Sequence, residues 1–409
     1  MTQTRGAIRI GCPDREVVVC AFARSPFGRF GGVLSPLTLP DLGAQVINAL
    51  LTKSGIPAAD IGAAYCGIGL AGAAALTVTR QTVLRSVLAQ ELPSVGIDRA
   101  CCSGMTAIAQ AARDIMLGLQ DVAIAGGMES LSNMPMYLPR QRSIRPGSVQ
   151  LKDPLILGGD AVDRPIAVYS GEEAERFGVD RSQQDAWAAQ SHQRYFEALE
   201  QGAFANEIVP IEVANGAELT RVTVDEGPRP DTTPSKLARL KTVYGSPTIT
   251  AGNAPGLSDG AAFLVLSTRA FATQRGWPVL GHITSYAQAA GGPTSGTSLP
   301  ATAIERLLAI EGADILDFDR IEINEAYAAT ALVSTQVLSQ GSQADLATIR
   351  SRTNPWGGAV AIGHPLGASG ARLVMTLLSG FEKAGKKQRG IAAICGGFGQ
   401  SDALVVESA

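Results

Sequence analysis

The chain has 409 residues, with 34 Lys+Arg against 37 Asp+Glu for a net charge of −3, and 45 % of its residues are hydrophobic. That balance lacks the basic surplus of a nucleic-acid or anionic-membrane binder, and the apolar content excludes wholesale disorder. The length exceeds one ordinary core and requires two or three domains or one large duplicated fold.

In chain order, the first apolar run is 17–22, a strand covered on both faces because it does not alternate. Asp41 is placed to cap a helix carrying Val46, Ile47, Leu50 and Leu51 at a 3.6-residue period. A strand at 63–68 follows. A helix over 103–119, with Ile108, Ala112, Ile115 and Leu119 on one stripe, then leads to a strand at 122–125. Further strands fall at 263–266, 391–395 and 403–406, and a helix at 369–381. Strands alternating with helices indicate an α/β fold. The two ends also share a plan: a turn opens a long helix, which leads to a short strand and a Gly-Gly pair at Gly126-Gly127 and again at Gly396-Gly397. The fold expected is therefore a duplicated α/β unit. Residues 131–257 differ, holding Arg140, Arg142 and Arg145, pattern-breaking prolines and an amphipathic helix near 184–199; they read as an insertion with a small core of its own. The domains expected are 1–130 with about 258–280, the insertion 131–257, and 281–409.

Six cysteines without a CxxC pair, and three histidines (His192, His282, His364), predict reduced thiols and no metal site. Residues 1–15 contain no signal-peptide pattern, no apolar run is long enough to span a membrane, and a cytoplasmic location is expected.

Four places can carry chemistry. Cys101 stands where a strand hands over to a helix, so free N–H groups and the helix dipole should favour its thiolate; Cys102 should point away and pack. The bland alternative for either is a small buried hydrophobe. His364 lies in a glycine-rich stretch, 354–370, that should serve close approach of another group; it is a candidate general base or a structural histidine. Cys395, followed by Gly396 and Gly397, sets a thiol beside backbone N–H groups suited to an oxyanion, or simply enters a hairpin. Asn324, at another strand end, can hold a water or a carbonyl oxygen, or cap a helix. Together these suit acyl exchange between thiols.

The combination resembles the thiolase family. The likeness runs from Arg24-Ser25-Pro26-Phe27-Gly28 to Cys395-Gly396-Gly397, through Cys101-Cys102-Ser103-Gly104-Met105, Gly126-Gly127-Met128-Glu129-Ser130, Ala251-Gly252-Asn253-Ala254, Asn324-Glu325-Ala326-Tyr327-Ala328 and Gly363-His364-Pro365. It implies an α/β/α/β/α layered fold with an inserted loop domain, and a homotetramer built as a dimer of dimers. It implies reversible Claisen condensation and thiolysis of acyl-CoA, with acetyl-CoA acetyltransferase as the activity, coenzyme A as substrate and no bound cofactor. It also implies roles: Cys101 as acylated nucleophile, His364 as its base, and Cys395 as proton exchanger at the acyl-CoA α-carbon. Asn324, through a water, and His364 would hold the enolate oxygen. The N–H groups of Cys101 and Gly397 would hold the acyl oxygen, and Arg229, Lys236, Ala251, Gly252, Ala326 and Tyr327 would bind CoA. The chain departs from the short-chain pattern at Ile166, Ala167, Pro255 and Thr294, which should reshape or enlarge the acyl pocket. A decarboxylating ketoacyl synthase is disfavoured by Cys395, and a non-catalytic acyl-CoA binder by the intact set.

Overall fold

A computed structural model describes residues 6–12, 14–72, 76–138, 151–155, 162–216 and 218–409; Arg140, Arg142 and Arg145 lie outside them. The strands are β1 (Ala7–Arg9), β2 (Val17–Arg24), β3 (Gly28–Arg29), β4 (Ala63–Gly67), β5 (Ser94–Ile97), β6 (Val122–Ser130), β7 (Ile211–Asn215), β8 (Glu218–Val222), β9 (Ser258–Thr268), β10 (Gly281–Ala290), β11 (Arg320–Ile323), β12 (Arg389–Gly396) and β13 (Gln400–Ser408). The helices are α1 (Leu39–Ser54), α2 (Val78–Arg85), α3 (Ser103–Met116), α4 (Ile166–Arg176), α5 (Arg181–Glu200), α6 (Pro234–Leu237), α7 (Arg269–Arg275), α8 (Leu299–Glu311), α9 (Ala328–Leu338), α10 (Gln343–Arg352), α11 (Ala359–Ile362) and α12 (Leu366–Ala384).

All the expected strands form. The sheet order is β11-β12-β13-β10-β2-β9-β6-β4-β5, with β1 on β10 and β3 on β9. Read outward from the centre, one half runs β2-β9-β6-β4 and the other β10-β13-β12-β11. In both, the first strand in sequence pairs with the last, and the middle two pair in parallel. That shared order is the duplication. The halves meet edge to edge through Val18, Val19, Gly281 and His282.

Two helix predictions shift. Thr38, not Asp41, caps α1: its hydroxyl accepts from the Asp41 N–H, and Asp41 occupies the first turn, where its charge suits the helix dipole. The helix beginning at Ser103 ends at Met116, because Gly118 takes a left-handed φ of 80°. Leu119, expected on the buried stripe, is 66 % exposed.

Strand residues of alternate parity face different cores. One set (Val17, Val19, Ala125, Leu264, Ile394, Leu404) packs on α3 and α12; the other faces α1 and α2 in the first half and α8 in the second. Burying Met105, Ile108, Leu373 and Leu377 in the central layer is worth about 1.5–3 kcal/mol each. The segment after β6 does not keep a core to itself: Ala174, Trp187 and Leu237 pack with Ala328, Leu332 and Val360 of the second half. Buried Arg24 on β2 ties it down further, bonding Glu207 at 3.0 Å and Asp225 at 2.7 Å.

Candidate active site

Cys101 is aimed by a strained turn. Ala100, just before it, has φ 49°, which costs a residue with a Cβ about 1–2 kcal/mol. Two groups hold the turn. Ser103 Oγ accepts from the Arg99 N–H at 2.8 Å and donates to the Ala100 carbonyl at 2.6 Å. The Arg99 guanidinium reaches into the other half, bonding Asp402 on β13 at 2.5 Å and Gln400 at 3.2 Å. Cys102, at the N-cap of α3, turns into the core with Sγ 3.4 Å from the Ile394 carbonyl, as expected.

His364 sits between α11 and α12, after Gly363 with φ 112°. Its N–H donates to Ser258 Oγ at 3.1 Å. Ser369 Oγ donates its single proton to the Pro365 carbonyl at 2.9 Å, so at its 2.6 Å contact with Nδ1 it must accept. Nδ1 therefore carries the ring proton, and Nε2 presents a lone pair. Asn324 Nδ2 donates to that nitrogen at 3.3 Å, leaving Asn324 Oδ1 buried without a partner among the described residues. Asn324 is no helix cap; that place on α9 belongs to Tyr327.

Cys395, next to last in β12, stands opposite Ser401, and Gly397, Phe398 and Gly399 turn the chain back into β13. The hairpin and the thiol are one feature. Cys101, His364 and Cys395 line a single cavity of about 70 Å³, joined by Gly397, Ala326, Tyr327, Ile166, Tyr169, Thr330, Leu366 and Phe398.

Burial dominates the electrostatics. It raises the Cys101 thiol well above its ordinary range, helped by Cys395 and Glu129, and raises Cys395 to about 12. Burial, then Arg372, lowers His364 to about 3. The expected pre-formed thiolate at Cys101 is thus corrected: desolvation outweighs the helix N-terminus, and the resting groups are neutral thiols and a neutral imidazole.

The glycine-rich stretch packs more tightly than expected. A Cβ at Gly104 or Gly127 would stand 2.2 or 2.0 Å from the Gly367 carbonyl oxygen. The close approach is between the two halves' own backbones, which sets the helix that follows Cys101 against the helix that follows His364. Of two buried carboxylates that sequence reasoning passed over, Glu129 braces this contact and Glu325 ties α5 to the stretch ahead of α12. Glu129 accepts from Gly69 at 2.7 Å and from Gly367 at the start of α12 at 3.0 Å. Glu325 accepts from Trp187, Ser191, Asn354 and the Val360 N–H. Both lie inside motif blocks quoted above, but nothing in a linear string marks a carboxylate as buried.

Of the residues expected at CoA, Ala326 and Tyr327 line the cavity. Arg229 borders a separate cavity of about 320 Å³ beside Gly363 and Ser258. Lys236 is exposed and pairs with Asp231 at 2.6 Å, Ala251 is exposed, and Gly252 packs on Leu237. Of the four acyl-pocket departures, Ile166 lines the cavity, Ala167 is buried in the core that α9 shares, and Pro255 and Thr294 lie outside the lining.

Residues 17–270 match the family model "Thiolase, N-terminal domain" and residues 277–408 match "Thiolase, C-terminal domain". The chain belongs to the thiolase family. It is an enzyme of reversible Claisen condensation and thiolysis, and its fold is the thiolase fold. Among relatives of this thiolase, a β-ketoadipyl-CoA thiolase of Pseudomonas aeruginosa is 38 % identical over 96 % of this chain and 99 % of its own. An acetyl-CoA acetyltransferase of Arabidopsis thaliana is 37 % identical over 96 % and 94 %. The crystal structure of the Bacillus anthracis acetyl-CoA acetyltransferase superposes with a TM-score of 0.91 at 32 % identity, over 97 % of this chain and 99 % of that one. No helix among the described residues is long and apolar enough to cross a membrane.

Proposed function

We propose that this thiolase transfers short, uncharged acyl groups, acetyl above all, between CoA thioesters through Cys101. The observation that carries the reading is the meeting of two thiols and one imidazole in a single small cavity. Cys101 Sγ bonds the thioester carbon while its proton passes to His364 Nε2, and the acyl oxygen rests on the N–H groups of Cys101 and Gly397. His364 returns that proton to the departing CoA sulfur. In the second half-reaction Cys395 gives its proton to His364, and its thiolate then takes one from the α-carbon of the incoming acyl-CoA. The enolate oxygen is held by protonated His364 and by a water on Asn324, whose unpartnered Oδ1 supports that role. Attack of the enolate on the acyl-enzyme frees the Cys101 sulfur, which recovers its proton from His364. Thiolysis runs the same steps backward. The neutral resting groups suit this cycle, since each charge is created only when a substrate stands ready to use it.

Two features support a short neutral acyl group. The cavity has room for on the order of five non-hydrogen atoms, at roughly 10–15 Å³ each. Among the described lining residues no Lys or Arg is present to meet a carboxylate. We also carry forward CoA binding on a loop domain at 131–257, between halves 1–130 with about 258–280 and 281–409. The family likeness is the support for this division and for a dimer of dimers; the lack of a signal-peptide pattern in residues 1–15 is the support for a cytoplasmic location. Assays of acetoacetyl-CoA thiolysis and of its synthesis from acetyl-CoA test the reading. Faster cleavage of 3-ketoadipyl-CoA than of acetoacetyl-CoA would overturn the neutral-acyl assignment.

A further inference from the structure

One buried phenol in the cavity has no task in the cycle above. Tyr169 is 3 % exposed and lines the cavity, yet its hydroxyl has no hydrogen-bond partner among the described residues. A buried phenol normally finds one. Its placement follows from α4, where Ile166, Tyr169 and Ser170 fall three and four residues apart and present one face to the cavity. Glu173, further along the same face, ties α4 to the neighbouring stretch of the lining by accepting from the N–H groups of Gly296 and Thr297 at 2.8 Å and from the Ser298 hydroxyl at 2.6 Å. The tyrosine is thus held by a braced helix.

The one cation acting on it, Arg164, is the weakest influence on its hydroxyl and is engaged by Glu172 at 2.8 Å. Burial first, then Cys395 and Cys101, raise the Tyr169 hydroxyl to about 12, so it is a neutral donor throughout the working range. Thr330, whose buried hydroxyl also has no hydrogen-bond partner among the described residues, leans on Cys395. Tyr169 remains as a free donor close to the sulfur that receives the acyl group, while the acyl oxygen itself is taken by the two backbone N–H groups.

We propose that Tyr169 is a specificity-determining donor that selects acyl groups bearing an uncharged oxygen on the carbon next to the carbonyl, over alkyl groups of equal size. This deepens the thiolase reading and rests on it. An alkyl group in the cavity leaves the phenol unpaired, whereas a 2-hydroxy group accepts its proton; the difference amounts to roughly ten- to a hundredfold in rate.

The test compares glycolyl-CoA with propionyl-CoA, which differ by a hydroxyl in place of a methyl. The readout is kcat/KM for enzyme acylation, followed as the burst of CoA release. The wild type is expected to prefer glycolyl-CoA at least tenfold, and Tyr169→Phe to bring the ratio near one. A wild-type preference for propionyl-CoA overturns the proposal without reference to any variant. An unchanged ratio in Y169F overturns it too, because a donor to the reacting carbonyl would slow both substrates alike. Acetyl-CoA is the control. A burst with acetyl-CoA but no discrimination removes only the role of Tyr169, whereas no burst with any of the three removes the thiolase reading as well.

Discussion

The two halves share a strand order but put different chemistry at the head of their central helix. Ahead of α3 stands Cys101, delivered by a left-handed Ala100 and pinned by Ser103. Ahead of α12 stands His364, with Ser369 fixing its tautomer. The strand that follows α3 runs on to Glu129, which accepts from the first turn of α12. The strand that follows α12 carries Cys395 one residue before its end, where it lines the cavity. Duplication thus supplied two equivalent places at which a helix begins beside a strand end. The first half places a thiol and a bracing carboxylate there; the second places an imidazole and another thiol. Neither half holds a complete site, and the pairing of α3 with α12 through backbone contacts at Gly104, Gly127 and Gly367 joins them.

The comparison breaks first at the nucleophile. Cys101→Ala should lower both thiolysis and condensation by at least about 10⁴-fold, since members of one catalytic unit fail together. Residual activity above that would mean a second sulfur can substitute. Cys395→Ala should keep the acylation burst with acetyl-CoA but lose condensation by roughly 10²- to 10⁴-fold, as expected for loss of one positioned proton carrier. Condensation at the wild-type rate would remove Cys395 from the cycle.

The tie between the halves comes next. Asp402→Asn leaves Arg99 without its buried carboxylate and should cost about 3 kcal/mol in urea unfolding. Because Arg99 also shapes the turn before Cys101, the acylation rate should fall with it. A loss of stability with normal acylation would separate the tie from the turn.

The smallest effect is a pH signature. His364 is lowered to about 3 from an unfolded value near 6.5, so its contribution to stability is present above pH 6.5 and is lost as pH falls toward 3. Relative to His364→Asn, the wild type should lose about 2 kcal/mol between pH 7 and pH 5, at 1.36 kcal/mol per unit below 6.5. A flat difference would mean that the imidazole is protonated in the folded protein. Its neutrality also predicts no acid limb near pH 6.5 in kcat/KM for acylation.

Much of this plan was legible in the sequence. Runs such as 17–22 and 391–395 are apolar at every position because both faces of those strands are covered, and a linear string carries that signal well. Cys101, His364, Cys395 and Asn324 were visible because each stands at a strand or helix end beside small residues. Three things were not visible. The ionisation of Cys101 turned on depth: helix position predicts a thiolate, while burial, which sequence does not report, reverses the preference. The cap of α1 fell to Thr38 because Asp41 suits both a cap and a first turn. Tyr169 drew no reading from the sequence, since only three dimensions show its hydroxyl unpartnered in a cavity shared with two thiols.

The central claim is that the acyl group rides on the sulfur of the first half. Incubation with acetyl-CoA, rapid acid quench and peptide mass spectrometry test it directly. One acetyl group on Cys101, removed by added CoA, is the predicted result; acetyl on Cys395 or elsewhere, or turnover with Cys101 never modified, would contradict it.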